Sequence, residues 1–357
     1  MTLLHRPFDR AGLALRNRIA MAPMTRSRAL GNVPNALMVD YYRQRAGAGL
    51  VITEGTAPAP EALGYARIPG LFDEAQRAGW AAIADAVHAG GAKLFVQLMH
   101  TGRIGHPDNL PPGATLIGPS AVAAAGTIWT DANGPQPHPV PKAMDATDIA
   151  RVRAAFVDSA VLARAAGVDG VELHGANGYL LAQFLNPRSN RRTDAYGGTA
   201  ANRRRFVLET VDATAAAIGA GHVGIRLSPF NPYNDLEAGY DGEREEFLAL
   251  VDALATRGLA YLHLAGGTVD DALLAEVRRR FPGTLIVNGG YDAARAESVL
   301  ERGLADLVAF GAAFIANPDL PRRLRLGAPL AAADPATFFS AGADGYTDWP
   351  ALETAAA

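Results

Sequence analysis

The stretch Gly170-Val171-Glu172-Leu173-His174-Gly175-Ala176-Asn177-Gly178-Tyr179 opens with a short apolar run and ends in a cluster of polar and glycine residues. The run is too short for a helix and too continuous for a strand with one wet face. Such runs suit strands buried on both faces of a parallel sheet. Seven more occur, at Arg18-Ile19-Ala20-Met21-Ala22, residues 49–53, 93–97, 223–227, 261–264, 284–287 and 306–310. Segments of helical period lie between them, over 73–89, 147–166, 202–218, 243–256, 270–281 and 292–302. Several close on a glycine (Gly90, Gly167, Gly219, Gly258, Gly303), where a left-handed cap is expected. Eight strands alternating with helices predict an α/β fold, a closed (β/α)8 TIM barrel. A doubly wound sheet would carry a glycine-rich turn after its first strand, and none is present. His5 to Asn17 predicts an N-terminal hairpin turned at Ala11-Gly12. Thr101 to Lys142, rich in Pro, Gly and small residues, predicts a long loop after strand three that acts as a lid or binding loop. Residues 1–357 are expected to form a single domain.

Composition removes several function classes. The chain has no Cys, so disulfides, thiolate nucleophiles and Cys-ligated clusters are excluded. Asp+Glu 36 against Lys+Arg 33 gives no excess positive charge for a nucleic-acid backbone. No apolar run is long enough to span a bilayer, and the polar start MTLLHRPFDR does not read as a secretory leader. A cytoplasmic protein without membrane or nucleic-acid partners is expected.

Barrel enzymes build their sites at the C-terminal strand ends. Here those ends carry Pro23-Met24-Thr25, Glu54, Gln97 with His100, His174 with Asn177 and Tyr179, Arg226, His263, Asn288-Gly289-Gly290 and Gly311-Ala312. The glycine turns after strands seven and eight suit a phosphate group. Arg226 at the end of strand five needs an acceptor, a developing anion or a barrel carboxylate such as Glu172. His174 and Asn177 can converge as donors on one oxygen, with Tyr179 within reach of a neighbouring atom. Glu172 and His174 offer no obvious third ligand, so no metal is expected. These features leave open a redox barrel and a phosphate-gripping lyase or isomerase without redox cofactor.

The sequence resembles the old yellow enzyme family of FMN-dependent ene-reductases, especially the bacterial branch that reduces N-ethylmaleimide, nitrate esters and activated alkenes. The matching stretches run in order over the whole chain. They are residues 17–26, Tyr41-Tyr42-Arg43-Gln44-Arg45, Gln97-Leu98-Met99-His100-Thr101-Gly102-Arg103, Gln183-Phe184-Leu185-Asn186-Pro187, residues 190–198, residues 314–320 and Gly345-Tyr346-Thr347-Asp348. The resemblance implies FMN at the C-terminal face, NADPH or NADH as reductant, and electron-poor small-molecule alkenes as substrates of a monomer or homodimer. It implies that Pro23, Met24 and Thr25 lie against the flavin, and that Gln97 and Arg226 bind its pyrimidine edge. Gly289, Gly290, Gly311 and Ala312 match the phosphate-binding turns. His174 and Asn177 match the pair that grips the substrate oxygen, Tyr179 the proton donor, and Tyr65, Met99 and Tyr346 the substrate side.

Three positions depart from the family pattern. Met99 replaces the usual Trp, Ala312 replaces an Arg or Lys on the phosphate, and Ala265-Gly266-Gly267-Thr268 is a short connection after strand six. The first and third predict a roomier pocket, and the second a phosphate held without a full positive charge at 312.

Overall fold

The computed structural model describes residues 2–10, 12–266 and 268–352. Eight parallel strands close on one another: β1 (Ile19–Met21), β2 (Leu50–Ile52), β3 (Lys93–Leu98), β4 (Gly170–Gly175), β5 (Val223–Leu227), β6 (Tyr261–Leu264), β7 (Leu285–Asn288) and β8 (Leu307–Phe310). They pair in sequence order, and β8 pairs with β1 to complete the barrel. β4 and β5 are buried along their full length, including the polar Glu172, His174 and Arg226 that they carry.

Two apolar layers hold the strands. Inside the barrel, Ala20, Leu50, Ile52, Phe95, Tyr261, Ile286, Leu307 and Ala309 pack together. Phe8, Leu13 and Leu15 of the N-terminal hairpin join this cluster and plug the N-terminal end. The hairpin has the expected strands, Phe8–Arg10 and Leu13–Leu15; Ala11 of its expected turn lies outside the described residues. The second layer lies between strands and helices.

The helices start where a side chain satisfies the free N–H groups of the first turn. Asp73 accepts from Gln76 before α1 (Glu74–Ala89), which buries Trp80, Ile83, Ala84 and Val87. Asp145 and Asp148 form a reciprocal capping box on α2 (Ala146–Ala165). Then come α3 (Arg205–Ile218), α4 (Glu243–Ala255), α5 (Asp271–Arg280) and α6 (Ala293–Glu301). Four of the five expected glycine caps have positive φ, but Gly90 has φ −81 and passes the left-handed turn to Gly91 at φ +83. The helix Ala36–Gln44 between β1 and β2 is absent from the expected segments, although its buried Met38, Tyr41 and Tyr42 stand at helical spacing on one face.

The long connection after β3 is more ordered than its composition predicts. Its tip is an antiparallel hairpin, Thr127–Thr130 with Gly134–Pro137, folded over the C-terminal face. Among the described residues no helix is long and apolar enough to cross a membrane.

Candidate active site

A cavity of about 1130 Å³ opens at the C-terminal face. Pro23, Met24 and Thr25 after β1, Gln97 and Met99 at β3, His174 on β4 with Asn177 and Tyr179 after it, Arg226 on β5 and Ala312 after β8 all line it. The strand register explains the convergence. His174, Arg226 and His263 stand opposite one another across β4, β5 and β6, while Glu172 stands opposite Gln97 one level below.

That lower level is a buried polar platform. Glu172 accepts from Gln97 Nε2 at 2.7 Å and from His263 Nδ1 at 2.8 Å. With its amide nitrogen spent on Glu172, Gln97 keeps its oxygen as an acceptor. Arg226 does not form the direct ion pair with Glu172 weighed from the sequence: its Nη2 donates to Asn288 Oδ1 at 3.0 Å, and Glu172 acts on it through charge alone. Its buried Nε has no partner, so the floor of the cavity holds a fixed cation with an unused donor.

The upper level is set for an oxygen. The backbone N–H of Ala176 donates to Nδ1 of His174 at 3.3 Å. A neutral imidazole that accepts at Nδ1 carries its proton on Nε2. Burial, then the charge of Arg226, hold His174 well below its ordinary pKa, so it is neutral at physiological pH and Nε2–H is a donor. Asn177 sits in the left-handed region at φ 55, followed by Gly178 at φ 75. Tyr179 packs edge-on to His174 with ring centres 4.8 Å apart, and its hydroxyl donates to Tyr65 at 3.1 Å. Burial pushes the Tyr179 hydroxyl up to about 12, so it keeps its proton.

The remaining expected residues divide. Tyr65 lines the cavity, and Met99 lines it from a small apolar patch with Ile104 and Tyr179. Tyr346 does not reach it. Its ring stacks on Tyr41 at 4.0 Å, and the guanidinium groups of Arg26 and Arg28 pack over it, so it is a buried strut. The aromatic wall on that side comes from Phe338 and Phe339. Gly289, Gly290 and Gly311 stand at the ends of β7 and β8, beside the cavity-lining Ala312. Arg295 donates to the carbonyls of Gly289 and Gly290 at 3.3 and 3.4 Å, which puts a cation at the turn where position 312 offers none. Sequence reading missed Asn231 and Asn234, which also line the cavity. Continuing the strand-end search past Arg226 into Ser228-Pro229-Phe230-Asn231-Pro232-Tyr233-Asn234 would have found them. Gly267 of the short connection after β6 lies outside the described residues. No three His, Asp or Glu side chains among the described residues form a metal-binding group.

The profile of the NADH:flavin oxidoreductase / NADH oxidase family matches residues 3–331. The chain belongs to this family. It is 41% identical over 354 residues, 97% of this chain and 96% of the other, to "Probable flavin mononucleotide-dependent alkene reductase" of Leishmania infantum. It is 40% identical to 12-oxophytodienoate reductase 1 of Oryza sativa subsp. japonica, covering 97% of this chain and 92% of that one. Among solved structures, morphinone reductase in complex with tetrahydroNAD superposes with TM-score 0.94 at 44% identity, covering 98% of both chains. Membership makes this protein an FMN-dependent oxidoreductase rather than a phosphate-gripping lyase. The residues present fit that cofactor. The orphaned Nε of a buried cation, the Gln97 acceptor and the glycine turns at the ends of β7 and β8 have the chemistry that a charged ring edge, a polar ring edge and a phosphate require.

Proposed function

We propose that the protein uses NAD(P)H to reduce the C=C bond of α,β-unsaturated carbonyl or nitro compounds, and that one domain over residues 1–357 carries the activity. Pro23, Met24, Thr25, Gln97, Arg226, Gly289, Gly290, Gly311 and Ala312 would hold FMN, which would supply two-electron hydride chemistry between NAD(P)H and the alkene. The observation that carries the reading is the set of three protonated groups at one end of the cavity: His174 Nε2–H, the amide of Asn177 and the Tyr179 hydroxyl. His174 and Asn177 donate to the carbonyl or nitro oxygen. They draw charge toward it and leave the β-carbon electrophilic. Tyr179 holds a proton at its hydroxyl oxygen for the α-carbon. Arg226 fixes positive charge beneath the site, where reduction of the cofactor adds negative charge. Met99, Tyr65, Phe338 and Phe339 shape the apolar remainder.

The test is replacement of His174 and Asn177 together by Ala. Each charge-assisted hydrogen bond contributes roughly 1.5–3 kcal/mol. Phenol affinity, titrated through the flavin absorption of the holoenzyme, should therefore fall at least ~100-fold together with enone turnover. Unchanged phenol affinity would place the oxygen elsewhere.

A further inference from the structure

We infer that Asn231, on the connection between β5 and α4, is a positioning residue that determines which end of the Asn177 amide faces the substrate. The argument starts from a group whose role is unambiguous. The backbone N–H of Tyr233 donates to Asn231 Oδ1 at 3.0 Å, and a backbone N–H can only donate. The Asn231 amide is thereby oriented, with its oxygen spent and its nitrogen directed away from Tyr233. That nitrogen lies 3.3 Å from Asn177 Oδ1. An amide nitrogen cannot accept, so the atom of Asn177 that meets it is the oxygen. The remaining end of Asn177, its NH2, is left for the cavity that both residues line.

The same connection holds the backbone of Asn177. Its N–H donates to Ser228 Oγ at 2.8 Å, and its carbonyl accepts from Asn234 Nδ2 at 2.8 Å. These bonds stabilise a left-handed conformation that a non-glycine residue adopts at a cost. Gly178 lets the two segments close: a Cβ there would come within 2.6 Å of the Asn234 Cβ and 2.7 Å of the Tyr233 carbonyl oxygen. The β5–α4 connection is therefore a template for the oxygen site. Tyr233 orients Asn231, and Asn231 orients Asn177. His174 receives its polarity from a backbone N–H in the same way, through Ala176. The site is committed to a ligand atom that accepts from both sides.

This inference rests on the reading that Asn177 holds the substrate oxygen, and the experiment separates the two. In Asn231→Asp one carboxylate oxygen keeps the Tyr233 N–H and the other can only accept. Asn177 must then turn its NH2 toward Asp and present its oxygen to the cavity. Two neutral ligands of opposite polarity report this in the holoenzyme: cyclohexanone, an acceptor, and aniline, a donor. Their neutrality keeps the added charge of Asp from dominating the comparison. Cyclohexanone should bind roughly tenfold more weakly, the loss of one good hydrogen bond, while aniline is unchanged or binds more tightly. Equal weakening of both ligands would indicate mere disruption of the loop and would overturn the inference, as would no change in either. Asn231→Ala should weaken cyclohexanone by a smaller factor, about threefold, because the amide of Asn177 is then free to turn; no change would overturn the inference even if the Asp variant fails to fold. Asn177→Ala is the control on the underlying reading. If it leaves cyclohexanone affinity intact, Asn177 does not hold the oxygen and both fall. If it weakens cyclohexanone while Asn231→Asp and Asn231→Ala do not, only the role of Asn231 is lost.

Discussion

Glu172 and Gln97 are joined across β4 and β3 by a 2.7 Å hydrogen bond inside the barrel, where both are buried. Both Glu172 oxygens accept, one from Gln97 and one from His263. Glu172 therefore orients a neighbour on each side and partly offsets the charge of Arg226. In Glu172→Gln that offset is lost and Arg226 acts more strongly on the reduced cofactor. The flavin midpoint potential should rise by about 20–60 mV, the equivalent of roughly 1–3 kcal/mol for a two-electron couple. Redox titration of the holoenzyme checks the sign; a fall would mean that Glu172 does not offset Arg226.

Tyr179→Phe removes the proton held beside His174 and leaves the ring packing in place. Alkene reduction should slow by ~10²–10⁴-fold, the usual contribution of a positioned acid, while flavin reduction by NAD(P)H stays nearly unchanged. Because the hydroxyl titrates only near 12, wild-type activity should show no loss from Tyr179 ionisation between neutral pH and about pH 10. Stopped-flow measurement of each half-reaction decides the point, and equal slowing of both would remove Tyr179 from the proton step.

Met99 fills the apolar side of the cavity against Gly55, where even an added Cβ would meet its sulfur at 2.5 Å. A Trp at this position has no room to retreat and must extend into the cavity. Met99→Trp should lose about tenfold or more in kcat/KM on ring-substituted bulky enones, and much less on cyclohexenone. A uniform loss across substrate sizes would show that residue 99 does not set the pocket's width.

Arg295 sits against the Gly289 and Gly290 carbonyls and over the ring of Tyr291. It puts at the glycine turn after β7 a positive charge of the kind that position 312 does not provide. Arg295→Ala should weaken FMN binding about tenfold, as expected for one charge-assisted contact at an exposed site. Ala312→Arg should restore binding in that background and add little to the wild type. Fluorescence titration of the apoprotein measures both, and a large gain from Ala312→Arg in the wild type would show that Arg295 does not serve the phosphate.

Burial pushes His100 down to about 3, so it stays neutral in the folded protein, whereas the unfolded chain binds a proton near pH 6.5. The unfolded state then holds the extra proton, and stability from this residue is lost as pH falls from 6.5 toward 3, at about 1.4 kcal/mol per pH unit. Glu54, buried and raised to about 7, acts in the opposite direction between pH 7 and 4.5, because there the folded state holds the extra proton. The two overlap, so the His100 contribution is read as a difference. His100→Asn keeps an acceptor for the Gly102 N–H and cannot be protonated. Going from pH 6.5 to 5, it should lose roughly 2 kcal/mol less stability than the wild type in denaturant melts with excess FMN. Parallel pH profiles would contradict this.

The barrel and most of its site were determined by local pattern. Short apolar runs alternating with helix-period segments suit strands of a covered parallel sheet, and eight of them place their C-terminal residues in one ring; Thr25, Gln97, His174, Arg226 and Ala312 accordingly stand around one cavity. The family motifs pointed to Tyr65 and Met99, and both line the cavity: Met99 directly follows β3, while Tyr65 stands on the connection after β2. Tyr346 shows where pattern stops. Its neighbours Tyr41, Arg26 and Arg28 lie more than three hundred positions away in the chain, and their stacking turns it away from the cavity and into the core. The polarity of the oxygen site was equally out of reach. Whether Asn177 offers an oxygen or an NH2 depends on Asn231, and Asn231 depends on one backbone N–H of Tyr233. Strand burial follows from the chemistry of each residue alone, whereas the orientation of a side-chain amide is decided by directional hydrogen bonds between segments that only the closed barrel brings together.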